Sequence, residues 1–179
     1  ERRPVPKVEM HRKMADLADM LGYAEQKRNY LNRVVEKAQG TLLMNSHDYY
    51  RLAQTHLEQR RADDAYKVVA RLRSVVDANE SELAESMLMV YNYYINGDTQ
   101  RARSGLEEVA KRQVSKGVRL SSGGQTLLMT LCARLGLQKK ADSLYAQLLK
   151  NTEFASTRAW LKRQMTQGGE PKMLGDSSI

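Results

Sequence analysis

The side chains through which this chain could do acid, base, nucleophilic or metal chemistry are few: His11, His47 and His56, the single cysteine Cys132, and the adjacent carboxylates Asp63-Asp64 and Glu107-Glu108. Their spacing assembles none of these chemistries. His47 and His56 stand nine apart, whereas two metal ligands on one helical face need a His-x-x-x-His interval. Neighbouring carboxylates on a helix point to different sides, so each pair reads as solvated surface or helix-end charge. Cys132 lies between Leu131 and Leu135 in an apolar stretch and reads as a small core residue. Gly123-Gly124 lacks the Gly-Lys-Ser/Thr that a phosphate loop requires. The expectation is a protein without catalytic residues, cofactor, metal or small-molecule substrate.

Charge is the stronger signal. Across 179 residues, 29 Lys and Arg oppose 21 Asp and Glu, a formal +8. By segment the balance is +3 over 1 to 40, +1 over 41 to 79, zero over 80 to 120 and +4 over 121 to 179, so the excess sits at the two ends. A basic surface is expected where a protein lies on a polyanion, because each phosphate contact releases counterions. The candidate RNA-contacting residues are Arg12, Lys13, Lys27, Arg28 and Arg33 at one end, and Arg134, Lys139, Lys140, Arg158, Lys162 and Arg163 at the other. Spacings of four and five place Arg158, Lys162 and Arg163 near one face of a helix, with Trp160 on the opposite side. No apolar run approaches the roughly 20 residues of a membrane span. A lone cysteine excludes an internal disulfide and suits a reducing compartment. The chain begins at Glu1, as a processed chain or part of a longer one would, and any organelle transit peptide would lie upstream.

These residues must be positioned by helices. Only eleven aromatics and three prolines, with abundant Ala, Leu, Met, Lys, Arg, Glu and Gln, favour helix over a β-sandwich. Four turns, at Leu21-Gly22-Tyr23, Gln59-Arg60-Arg61, Asn96-Gly97-Asp98 and Leu135-Gly136-Leu137, recur with anchors at 22, 60, 97 and 136. Apolar residues repeat nine after each anchor (Leu31, Val69, Leu106, Tyr145), twelve after it (Val34, Leu72, Val109, Leu148) and eight before it (Met14, Leu52, Met89, Leu128). Three repeats also share a small residue five after the anchor, Ala65, Ala102 and Ala141, where the first has Lys27. The predicted helices are 8 to 21, 24 to 39, 46 to 60, 62 to 77, 81 to 96, 99 to 116, 122 to 135, 138 to 150 and 156 to 167. Gly22, Gly40, Gly97, Gly117 and Gly136 supply stops, and Ser46, Asp98 and Ser156 are candidate N-caps. The fold class is therefore all-α: a right-handed α-solenoid of about four helical hairpins plus a short C-terminal helix, as one domain over 1 to 167 with a flexible tail over 168 to 179.

The stretch from Leu127 through Cys132-Ala-Arg-Leu-Gly136 to Leu149 resembles a pentatricopeptide repeat, and Tyr91 to Val109 looks like a second copy. The other two hairpins are similar to a looser tetratricopeptide pattern, over roughly 8 to 150 in all. The intervals of 38, 37 and 39 are longer than the about 34 residues of tetratricopeptides. For base-reading pentatricopeptide proteins the resemblance implies a two-residue code, which here falls on Arg12 with Asn45, Tyr50 with Glu82 and Met87 with Ser121, none of them a code pair. The first helix of each hairpin would line a concave face, where Tyr50, Met87 and Tyr91 suit a protein segment better than phosphate. The expected function is a non-catalytic scaffold of an RNA-containing assembly, such as an organellar ribosome or RNA-processing complex, bridging other proteins and RNA through its basic ends. Its expected place is a mitochondrial or other organelle matrix, otherwise the cytoplasm, with no membrane contact. The alternatives are a tetratricopeptide-like adaptor without RNA and a free pentatricopeptide-type RNA-binding factor.

Overall fold

The computed structural model describes residues 7–152 and 155–166, with side chains from 158 onward in the second stretch. The described chain is all-helical: α1 (Lys7–Leu21), α2 (Ala24–Ala38), α3 (Ser46–Glu58), α4 (Ala62–Arg71), α5 (Ala78–Ile95), α6 (Thr99–Ser115), α7 (Ser122–Arg134), α8 (Gln138–Lys150) and α9 (Ala155–Thr166). Two compact units divide it after Val75, where one domain over 1 to 167 was expected. In the first unit α1 packs on α2, α2 on α3 and α3 on α4. In the second, α5 pairs with α6 and α7 with α8, α5 meets α7, and α9 packs on α7 and α8. The expected tail over 168 to 179 lies outside the described residues.

The repeat is visible in the backbone. All four turn anchors are left-handed, with φ of 76° at Gly22, 58° at Arg60, 82° at Gly97 and 88° at Gly136. The residue after each anchor donates its N–H to a carbonyl five residues back: Tyr23 to Ala18, Arg61 to His56, Asp98 to Tyr93 and Leu137 to Cys132, at 2.8 to 3.0 Å. This closes the carbonyls that a helix end leaves open. The same residue's carbonyl then accepts from the N–H four positions on, at Lys27, Ala65, Ala102 and Ala141, each at 3.0 Å, starting the next helix.

Packing agrees with most of the expected stripe. Leu31, Val34, Val69, Leu72, Leu106, Val109 and Leu148 are buried, as are Ala65, Ala102 and Ala141. Position eight before the anchor divides: Leu52 and Leu128 are fully enclosed, whereas Met14 and Met89 are 38% and 40% exposed. The reason is the neighbour. Leu52 sits in α3, against which α2 packs, and Leu128 in α7, which meets α5, while α1 and α5 each open a unit with no earlier hairpin of that unit to cover them. Tyr145 is half-buried rather than enclosed. On α1 the inward face is Val8, His11, Ala15 and Ala18, and the outward one carries Met10, Met14, Leu17 and Leu21.

Two boundaries differ from expectation. The fourth helix stops at Arg71 and tightens into a 3-10 turn over Leu72–Ser74, where Ser74 Oγ donates to the Arg71 carbonyl and competes with further α-helix. The fifth begins at Ala78, three residues early, because Asp77 caps it by accepting from Glu80 N at 2.8 Å. Asn45 rather than Ser46 caps α3, and Asp98 caps α6 as expected. Ser156 lies inside α9, and its side chain is outside the described residues.

Candidate nucleic-acid interface

The predicted RNA-contacting cations divide into those occupied within the fold and those facing water. Arg12 is occupied: its Nη2 and Nε bind the buried Asp48 carboxylate at 2.7 to 3.2 Å, and Nη2 donates to the Leu43 carbonyl at 2.6 Å. Asp16 accepts from Arg51 at 2.7 Å, so two crossed ion pairs stitch α1 to α3. Burial pushes the Asp48 carboxyl above its ordinary value, and Arg12 pulls it back. Lys27 pairs with Asp19 at 2.8 Å, and Arg134 donates to the Gln164 carbonyl at 2.9 Å, holding α9 to α7. Lys13, Arg33 and Lys139 are exposed, Arg33 with its guanidinium 5.8 Å from the centre of the Tyr30 ring, and Lys140 is half-exposed.

α9 shows only part of the face its spacing predicts, since Arg163 is half-buried like Trp160. Leu161 is buried, Trp160 and Arg163 are half-buried, and Arg158 and Lys162 face water. The helix contains no Asp or Glu. Arg158 donates Nε to the Thr152 carbonyl at 3.1 Å, which fixes the side chain without neutralising it.

The aromatic row does not offer itself to a partner. Tyr50, Met87 and Tyr91 are 2%, 0% and 8% exposed, so their area is taken up by helix packing, a correction to the concave protein-binding row. Cys132 is enclosed, and burial pushes its thiol up to about 11.

A cationic cleft that the sequence pattern did not signal by charge balance lies in the first unit. α2 and α4 both pack on α3 and leave a cavity of about 310 Å³ between them, lined by Arg28, Asn29 and Asn32 of α2, His56 of α3, Arg61 just before α4, and Asp64, Lys67, Val68 and Arg71 along it. Four cations thus face one carboxylate, and Val68 is the sole aliphatic side chain. Arg28 donates to the Gln59 side-chain oxygen and pairs loosely with the exposed Glu25 at 3.9 Å, while Arg71 donates to the Gln39 side-chain oxygen at 2.7 Å, a neutral partner that orients the guanidinium without compensating its charge. Arg61 is compensated by Asp64 at 2.9 Å, and that hydrogen bond holds the Asp64 carboxyl below its usual range. The buried His56 has no hydrogen-bond partner at Nδ1 among the described residues. Burial lowers its pKa, against an opposing pull from Asp64. The signal available in the sequence was the run Arg61, Asp64, Lys67, Arg71 at intervals of three to four, one helical face with a single acid. No group of His, Cys, Asp and Glu that could hold a metal occurs among the described residues, and no described helix is long and apolar enough to cross a membrane. Comparison with protein-family models, curated proteins and solved structures finds no match.

Proposed function

We propose that this chain is a non-catalytic helical-repeat scaffold of an RNA-containing assembly, of the kind found in an organellar ribosome or RNA-processing complex, and that it bridges RNA and neighbouring proteins. The observation that supports the RNA reading is α9: a docked helix without a carboxylate, whose water-facing side carries Arg158 and Lys162. Neither charge is used in the core, which leaves both for a polyanion. The exposed Met10, Met14, Leu17 and Leu21 of α1 support the protein-contacting half, since adaptable thioethers and leucines in one stripe suit a packed helix. That stripe also favours the adaptor reading without RNA, so the two are separated by experiment. Binding of a labelled single-stranded oligouridylate is measured from 50 to 200 mM salt. The RNA reading expects a linear fall of log affinity with log salt, reduced by roughly 0.7 per lost phosphate contact on replacing Arg158, Lys162 and Arg163 with Gln. Absence of salt-dependent binding hands the function to the adaptor reading.

A further inference from the structure

The geometry points to the cleft between α2 and α4 as a seat for a phosphodiester of the RNA backbone, an assignment that rests on the RNA reading above and places a contact away from α9. Three observations converge. The lining sets Arg28, Arg61, Lys67 and Arg71 against Asp64 alone. Arg28 and Arg71 are pre-oriented by the side-chain carbonyls of Gln59 and Gln39; Arg71 keeps its charge for a ligand, and Arg28 shares its own only with the solvent-exposed Glu25 at 3.9 Å. His56 adds an imidazole to the wall from α3, with an enclosed Nδ1 that has no hydrogen-bond partner among the described residues.

The chemistry of the ligand follows from the lining. Small-molecule pockets are mostly apolar, whereas Val68 is the single aliphatic contribution here, flanked by Asn29 and Asn32, which can donate or accept. Planar guanidiniums on opposing helices suit the two unesterified oxygens of a phosphodiester, and Lys67 adds a compact charge. An elongated polyanion fits better than an isolated anion because the cations extend along α4 from Arg61 to Arg71, about 15 Å of helix. The cations of the site come from the second helices of the hairpins and the turn that opens α4, not from the first helices on which a base-reading code would lie.

The test uses the full chain and the same oligouridylate. Replacing Arg28, Lys67 and Arg71 with Gln should lower the salt slope by at least about 0.7, the value of one single-strand phosphate. Asp64→Asn, which removes the only lining carboxylate, should tighten binding about threefold at low salt, a gain that damage to the fold would not produce. Thermal midpoints of both variants serve as the folding control. Proton resonances of His56 should shift on RNA addition in the wild type and not in the triple variant. Salt-dependent wild-type binding with both variants unchanged would overturn the cleft while leaving the RNA reading and α9 in place. Loss of affinity in the α9 variant alone would overturn the cleft in the same way. No salt-dependent binding by the wild type would overturn both.

Discussion

Gly105 of α6 stands where an added Cβ would meet Val90 Cγ2 of α5 at 2.8 Å, closer than carbon atoms pack. Two opposed terms decide what Gly105→Ala does. Helix propensity favours Ala over Gly by about 1 kcal/mol in a helix interior. Overpacking against an enclosed neighbour costs about 1 to 3 kcal/mol, and Val90 is both 2% exposed and β-branched, so it has no flexible end to swing aside. The net expectation is destabilisation by about 1 kcal/mol. The double variant isolates the cause: with Val90→Ala the obstructing methyl is gone, and Gly105→Ala should then stabilise by about 1 kcal/mol relative to Val90→Ala alone. Urea unfolding followed by tryptophan fluorescence is the assay, because Trp160, the only tryptophan, belongs to the same unit as α5 and α6. If Gly105→Ala stabilises the wild type as much as it stabilises the Val90→Ala variant, close approach of these helices is not what the glycine serves.

Three further outcomes follow from the first unit. Arg60 is the one non-glycine in the left-handed conformation among the described residues, so Arg60→Gly should raise stability by about 0.5 to 1 kcal/mol, and a lowered thermal midpoint would mean that the arginine side chain contributes there. Arg12→Ala should destabilise by about 3 to 5 kcal/mol, because it strands the buried Asp48 carboxylate; a change under about 1 kcal/mol in chemical denaturation would show that water reaches Asp48. His47 is pushed down to about 4 by burial and then by Arg51 and Arg12, so the unfolded chain takes up a proton that the native one refuses. Its contribution is therefore present above about pH 6.5 and is lost as pH falls toward 4, by about 1 to 2 kcal/mol at pH 5. His11 and His56 act in the same sense, and Asp48, raised by burial, in the opposite one. His47→Gln should flatten the stability profile between pH 7 and 5; an unchanged slope would assign the acid sensitivity to the other histidines.

The hairpins were legible because their turns depend on local chemistry. A left-handed residue closing a helix end is signalled by glycine at 22, 97 and 136, and the equal spacing carried the inference across Arg60, where the residue type gave no help. Burial eight before the anchor was only half legible. Four apolar residues occupy it, yet whether each is covered depends on which helix lies alongside, and that is a tertiary fact. Methionine in the two exposed cases and leucine in the two buried ones was the available clue. Arg12 shows the same limit, since its partner Asp48 is 36 residues away and nothing in the spacing joins them.

The cleft escaped for a different reason. Summing charge over residues 41 to 79 gives +1, which made the middle of the chain look neutral, but a sum is blind to direction. Of the five carboxylates in that segment, Asp48 is buried against Arg12, Asp77 caps α5, and only Asp64 lines the cleft. The cations Arg61, Lys67 and Arg71 instead share one face, where Arg28 joins them from α2. A segment can thus be nearly neutral while one of its surfaces is strongly cationic, and a phosphate responds to the surface because screening limits its reach to about a Debye length, roughly 8 to 10 Å. Charge therefore has to be counted by helix face, at intervals of three and four, before a helical-repeat chain is judged basic only at its ends.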